Sequence, residues 1–380
     1  DYKGKRLDFF LPANSPVGFA SYFGALDGGD PAFTTYILGG CPGCGKSTLL
    51  RRVGEALLGR GEMVEFIHCA SDPGSYDAVL CPGLHLGVVD GTPPHGMVPR
   101  YPALAEQFVD LYRFTDPEAI APHREEMSAR LQRRAGRFLS AAASLLRDNS
   151  AAVIPCLDLP KLERYALSTA KRLLPPLDKA GRKFDRFLSH LAPSGPQPLC
   201  ETAAGFGRVI LLEDGYQTAS PLFLERMAKI ALAAGYDVYA CYSPLSPYDK
   251  LEHLVLPEAD LCFVSEPRQN AYAQALPAPF RHVYSRRFTD LDALYPYRNR
   301  LSFNKKAAKE LVREAARLCA EAQEAHRQAE SLYALGTDPA ATKKGAYRAG
   351  MRSIMQLYRY PKEGGAIWHV QRRRETSTKS

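Results

Sequence analysis

The apolar positions change period along the chain, and the changes mark out elements. Thr34-Thr35-Tyr36-Ile37-Leu38 is a short β-branched and apolar run, the pattern of a buried strand. A glycine-rich stretch follows. Then Thr48 to Leu58 places Leu49, Leu50, Val53, Leu57 and Leu58 at helical spacing. Met63–His68 and Leu84–Asp90 read as two further strands, each ending in a polar residue. Later the period lengthens. Met127, Leu131, Phe138 and Leu145 form one helical stripe, and Leu311, Ala315, Leu318, Ala322, Ala325, Ala329 and Leu332 form another within the Ala-rich, charged residues 305–335. These predict a pair of long helices, packed within the chain in preference to a coiled coil with a partner. A further helical pattern covers Ala346–Tyr358, before a basic end at Arg372-Arg373-Arg374 that reads as solvated.

The pattern is duplicated. At an offset of 174, Arg113-Phe114-Thr115-Asp116 returns as Arg287-Phe288-Thr289-Asp290. Leu50, Arg52, Leu58, Gly61 and Val64 return as Leu224, Arg226, Leu232, Gly235 and Val238. Near the start a small indel shifts the register, so that Phe10-Leu11 matches Phe187-Leu188. The prediction is two copies of one α/β unit, a three-layer sandwich with a mostly parallel sheet, each copy carrying long helices. The expected divisions are residues 1–180, 181–335 and a C-terminal helix and tail at 336–380. Pro155, Pro160, Pro175 and Pro176 bracket the crossover.

The strongest chemical signal lies between the first strand and helix. Gly40-Cys41-Pro42-Gly43-Cys44-Gly45-Lys46-Ser47 is a complete G-x-x-x-x-G-K-[ST] phosphate loop, and Thr48 follows. Its glycines let the backbone close round phosphates with N–H groups inward, and the helix adds its positive dipole end. Lys46 is expected to reach the β- and γ-phosphates of ATP, and the Ser47 hydroxyl to sit on Mg²⁺. Asp90 closes the next apolar run and is the second expected Mg²⁺ ligand; the alternative is an Asp that opens the turn Gly91-Thr92-Pro93-Pro94. Gly91, not Glu, follows Asp90, which points away from a vigorous ATPase. Asp72, His68 and His95 fall where the same sheet edge would carry them, as candidates to face the γ-phosphate or a second substrate. Arg100, Arg113 and Arg124 are candidate lid arginines. Arg113 and Arg124 recur as Arg287 and Arg298, which favours structure for those two. Cys41 and Cys44 make a C-x-x-C, read as occupants of variable loop positions, with redox or metal chemistry as the alternative and oxidative inactivation as a side hypothesis.

The second copy lacks this chemistry. Ser220-Pro221-Leu222 stands where Lys46-Ser47-Thr48 would recur, and Glu213-Asp214 opens a loop that is expected to repel phosphate. Its equivalent of the Asp90 strand runs Val264-Ser265-Glu266-Pro267. No nucleotide is expected there.

The chain has 380 residues, 46% hydrophobic and 24% charged, which excludes a disordered or low-complexity chain and suits two or three domains. No apolar run reaches about 18 residues, so no membrane span is expected, and no apolar core of a signal peptide follows Arg6. Nine scattered Cys fit reduced thiols and a cytoplasmic setting. The net charge of +8 favours anionic partners, but no nucleic-acid motif accompanies it. Asn304-Lys305-Lys306-Ala307 lacks the Asp of the guanine-reading N-K-x-D.

The Gly39–Thr48 loop, His68-Cys69-x-Ser71-Asp72, Asp90-Gly91-Thr92-x-Pro94-His95 and the duplicated layout together resemble a bacterial family of tandem P-loop ATP-binding proteins, ATPase-like or nucleotide-kinase-like. The resemblance covers nearly the whole chain. It implies the P-loop NTPase fold and Mg-ATP held through Lys46, Ser47 and Asp90, with no agreed substrate. Members of that family carry an intact loop in both halves; this chain departs in the second. Three functions follow as expectations: a slow or partner-gated ATPase or switch, a small-molecule or nucleotide kinase with Asp72 or His95 near the acceptor, and a non-catalytic adaptor that ATP stabilises.

Overall fold

The apolar runs become the inner strands of two mixed sheets, buried on both faces as continuous rather than alternating runs require. The computed structural model describes residues 4–40, 44–92, 105–111, 125–192, 195–266 and 281–335. In the first half these form β1 (Arg6–Phe9), a hairpin β2–β3 (Pro12–Ser15, Gly18–Ser21), β4 (Thr34–Gly39), α1 (Lys46–Leu58), β5 (Val64–His68), β6 (Tyr76–Cys81), β7 (Leu86–Asp90), β8 (Glu106–Asp110) and α2 (Glu125–Val153). After α3 (Leu159–Leu173) the series repeats. It runs β9 (Lys183–Arg186), a hairpin β10–β11 (Ser189–Ala192, Gly195–Pro198), α4 (Cys200–Ala204), β12 (Arg208–Glu213), α5 (Ala219–Ala233), β13 (Val238–Ser243), β14 (Ser246–Leu256), β15 (Leu261–Glu266), β16 (Arg281–Tyr284), α6 (Leu291–Leu294) and α7 (Arg298–Leu335).

The sheets have one topology. The first orders its strands β1-β5-β6-β7-β4-β8, and the second β9-β13-β14-β15-β12-β16. Each contains one reversed strand, β6 or β14, antiparallel to both neighbours; the other ladders are parallel. The reversal has a local cause. A single 3-10 turn at Pro82–Leu84, closed by His85 at φ +53°, joins β6 to β7, and so short a link permits only an antiparallel pair. It also delays the third strand, which begins at Leu86 rather than Leu84. One face of the first sheet is covered by α1, whose Leu49, Leu50, Val53 and Leu57 share a core with Phe66, Val79 and Val88. In the second half Pro221 sits in the first turn of α5, where its missing N–H costs nothing.

The halves meet about a pseudo-twofold axis. Phe10 and Phe187, which occupy equivalent positions, exchange N–H···O bonds of 2.8 Å in both directions. Leu7, Phe9, Phe10, Phe184, Phe187 and Tyr239 are fully buried in a core that draws on both halves. At about 2–3 kcal/mol for each large apolar side chain withdrawn from water, this shared core is a principal source of stability. On one side of the axis the Phe9 and Tyr239 rings stack at 5.4 Å with 7° between planes. The matching position on the other side holds Arg186 and Glu65, an ion pair of 2.8 Å with both side chains fully buried. The Tyr239 hydroxyl donates to the second Glu65 oxygen at 3.1 Å.

The same axis relates α2 and α7, which pack antiparallel. Ser128 bonds to the carbonyl of Ala322 near one end, and Asn149 to that of Leu301 near the other. The two long helices thus partner each other. Their seam runs through Ala135, Leu139 and Ala142 against Ala308, Val312, Ala315 and Leu318, with Leu131, Phe138 and Leu145 flanking it. Alanines let the helix axes approach, which a stripe of larger residues would prevent. Helix α3 lies before residue 180 yet packs on the second half: Leu162, Ala166, Ala170 and Leu173 join the core that holds Phe223 and Leu224. Among the described residues no helix is long and apolar enough to cross a membrane.

Candidate functional site

Strand β4 delivers the glycine loop to the carboxyl edge of the first sheet. Its neighbours bring acids to the same edge: Leu38 pairs with Asp90 on β7, and Gly39 with Asp110 on β8. Gly45 precedes α1 at φ +92°, a left-handed conformation that glycine adopts at no steric cost. A Cβ on Gly40 would lie 2.7 Å from the Cys44 sulfur, so the loop closes tightly over that position. Cys41, Pro42 and Gly43 lie outside the described residues, as do His95, Arg100, Arg113 and Arg124.

Lys46 opens α1 with its side chain 5% exposed. Its amine donates to the Gly40 carbonyl at 2.7 Å and stands 3.8 Å from Asp90 Oδ2. Cys44 is buried beside it, with the sulfur 3.8 Å from the amine. The Ser47 hydroxyl accepts from the Tyr76 N–H at 3.0 Å, which leaves its own proton and a second lone pair for another contact. Thr48 is exposed on the first turn. Asp90 is held by Thr92, through the N–H at 2.9 Å and the hydroxyl at 2.6 Å, and the same hydroxyl lies 3.2 Å from the Gly40 carbonyl. Loop, lysine and acid therefore form one hydrogen-bonded unit. Ser47 and Asp90 offer hard oxygens of the kind Mg²⁺ takes. Among the described residues no three His, Cys, Asp or Glu groups converge to hold a metal by themselves, so such an ion here would complete its shell with phosphate and water.

The other candidates have structural partners. Asp72 accepts from the Ser75 hydroxyl at 2.8 Å and closes the turn between β5 and β6. His68 contacts the Pro73 carbonyl through Nδ1 at 2.6 Å and Asp8 through Nε2 at 2.8 Å, so it joins strands rather than facing the loop. Asp8 also takes the Arg6 guanidinium, at 2.7 and 2.9 Å. Burial by itself would raise the Asp8 carboxyl, but the hydrogen bonds from His68 and Arg6 outweigh it and hold the group below the ordinary Asp value. Its contribution to stability is then present above that ordinary value and disappears as pH falls through the lower folded one. Asp8→Asn should cost about 2–3 kcal/mol at pH 7, and the gap from the parent protein should narrow below roughly pH 4. Urea titrations of both proteins at the two pH values check this; a gap independent of pH would refute it.

One acid at this edge escaped the motif reading. Asp77 on β6 is 4% exposed, and burial, then the nearby charge of Asp90, push its carboxyl up to about 7. It interacts with Cys69, whose thiol burial raises well above the ordinary range. The available signal was a lone carboxylate in the apolar run Tyr76–Cys81.

The second half shows how the same frame is disarmed. By sheet register Ser265 takes the place of Asp90, and by sequence offset Ser220 takes that of Lys46. The two hydroxyls bond each other at 2.8 Å where the first half has amine and carboxylate. Asp214 replaces Gly40, and its carboxylate turns inward. One oxygen accepts from the N–H groups of Thr218 and Ser220, both at 2.8 Å, and from the Ser220 hydroxyl at 3.0 Å. Asp214 thus occupies the anion position at the start of α5 from within the chain, rather than simply repelling phosphate. Asp214→Ala should cost about 1–3 kcal/mol, because it strands these buried donors, with Asp214→Asn milder. Thermal unfolding of the two variants tests the order.

No family model matches this chain, nor does any curated protein or solved structure.

Proposed function

We propose that the first half binds Mg-ATP and acts as a slow or partner-gated ATPase, a switch, while the second half binds no nucleotide at its equivalent loop. The observation that carries this reading is the buried Lys46 amine, bridging the Gly40 carbonyl and Asp90 at the mouth of a loop that opens a helix. An aliphatic amine is buried at a cost, and a P-loop lysine accepts that cost because the ligand completes its charge pairing.

In this reading the N–H groups at the start of α1 receive the phosphates, and Lys46 leaves the Gly40 carbonyl for the β- and γ-phosphate oxygens. Ser47 and Asp90 would hold Mg²⁺, which when bound supplies positive charge between those phosphates. Thr92 fixes the Asp90 carboxylate so that it keeps its orientation as Lys46 moves. With Gly91 after Asp90, no carboxylate stands there to orient a water, which fits slow turnover. The turn that holds Asp72 favours the switch over a kinase that uses Asp72 as its base.

The test is ADP formation from Mg-ATP by the purified protein, with and without a desalted small-molecule extract. Slow turnover without extract supports the proposal. Turnover that depends wholly on extract, with a phosphorylated product, would replace it with the kinase. ATP binding with no turnover in either case would leave a switch or an adaptor that awaits a macromolecular partner.

A further inference from the structure

A cavity lies at the carboxyl edge of the second sheet, where α/β proteins place ligands. It measures about 450 Å³, within the range of small-molecule sites. Its floor is formed where β12 ends at Glu213 and β16 ends at Tyr284, and one wall is the first two turns of α7. Arg298, Ser302 and Lys305 reach it from α7 at spacings of four and three, which put them on one helix face. Arg286 enters from the turn after β16.

The charge is one-sided. Three cations line the cavity against the single carboxylate of Glu213, which lies 3.6 Å from His282. Among the described residues none of the three cations forms an ion pair. Arg286 lies over the Tyr284 ring at 5.3 Å, Arg298 over Tyr295 at 3.9 Å, and the Lys305 amine donates to the Gly215 carbonyl at 3.3 Å. All three side chains are exposed to solvent. The fold does not require them. At the matching positions of the first half the sequence has Tyr112 and Leu131 in place of Arg286 and Lys305, and only Arg298 recurs, as Arg124. Two aromatic rings complete the lining. Tyr216 is 38% exposed, available as a flat surface for stacking, while Tyr284 already contacts His282 at 4.2 Å between ring centroids and lies under Arg286.

Asp214 already fills the cradle at the start of α5, so a triphosphate cannot seat there as it would on the first loop. An anion entering this half meets the cations of the cavity instead. We propose that the cavity is a binding site for a small phosphorylated molecule with a flat aromatic ring, of the nucleoside monophosphate class. The phosphate sits among Arg286, Arg298 and Lys305, and the ring lies against Tyr216. The site is separate from the Lys46 loop and stands whether or not that loop binds ATP.

The test is calorimetric titration of the full chain carrying Lys46→Ala, with AMP and inorganic phosphate as probes. AMP should bind, and more tightly than phosphate. Arg286→Gln combined with Lys305→Gln should weaken AMP by at least about tenfold, and Tyr216→Ala should weaken AMP while leaving phosphate unchanged. These side chains are exposed, so unfolding temperatures of the variants should match the parent and confirm intact folds. Absence of AMP binding up to about 10 mM, or AMP affinity unchanged in the charge variant, would overturn the site. Equal affinities for AMP and phosphate would overturn the ring contact.

Discussion

Lys46→Ala should lower the affinity for Mg-ATP by roughly 30-fold to several-thousand-fold, the range for deleting one buried, charge-paired contact of about 2–5 kcal/mol. The size follows from the site. The amine is nearly withdrawn from water, so its pairing with phosphate is screened far less than a surface contact. Water that fills the space of the missing side chain cannot supply its charge. The fold should survive, because removing Lys46 deletes a buried cation while Asp90 keeps both hydrogen bonds from Thr92. Ser220→Ala, the equivalent change in the second half, should leave ATP affinity unchanged. Titration with a fluorescent ATP analogue reads both variants. Equal binding by Lys46→Ala and the parent protein would end the proposal for this loop.

The second large effect concerns stability. Arg186→Phe should cost about 3–5 kcal/mol, because Glu65 would keep a buried charge with only the Tyr239 hydroxyl beside it. Glu65→Tyr should cost a comparable amount by stranding Arg186. The pseudo-symmetry supplies a compensating pair, since the opposite side of the axis stacks Phe9 on Tyr239. Arg186→Phe with Glu65→Tyr should therefore recover a large part of the loss. Recovery should be incomplete, because Arg186 also bonds the carbonyls of Asp185 and Leu26. Urea unfolding of the two single variants and the double gives the coupling, expected to exceed about 2 kcal/mol. Additive losses would show that the two sides of the axis are not equivalent environments.

What the sequence reveals, and what it hides, follows from the range of each interaction. The strand before Gly39, the helix from Lys46 and the strand ending at Asp90 each carry a local period, and the structure has all three. The duplication was equally legible, because aligned residues need no knowledge of contacts. Strand β6 was not: Tyr76–Cys81 is buried throughout and shows no alternation. The Asp8, Arg6 and His68 network joins residues up to 62 positions apart. The inward turn of Asp214 reverses the sense of an acid in a phosphate loop, and composition cannot show which way a carboxylate faces. Asp72 looked like a site residue because it ends the β5 segment, and that same position let it close a turn.

The mismatch at the axis also governs which halves can pair. Two first halves brought together about the same axis would set Glu65 against Glu65, in the space where Glu65 now meets the Tyr239 hydroxyl, and each carboxylate would face a Phe9 ring instead of Arg186. Two buried like charges without a cation disfavour that pairing strongly. Two second halves would bury a pair of Arg186 cations with no carboxylate between them. Only the mixed pair balances the charge. The axis therefore rejects the pairing of like halves between molecules, whereas a mixed pair drawn from two copies would keep the same ion pair. Fusion in one chain supplies the correct partner at high effective concentration, and the single buried ion pair rejects the wrong one.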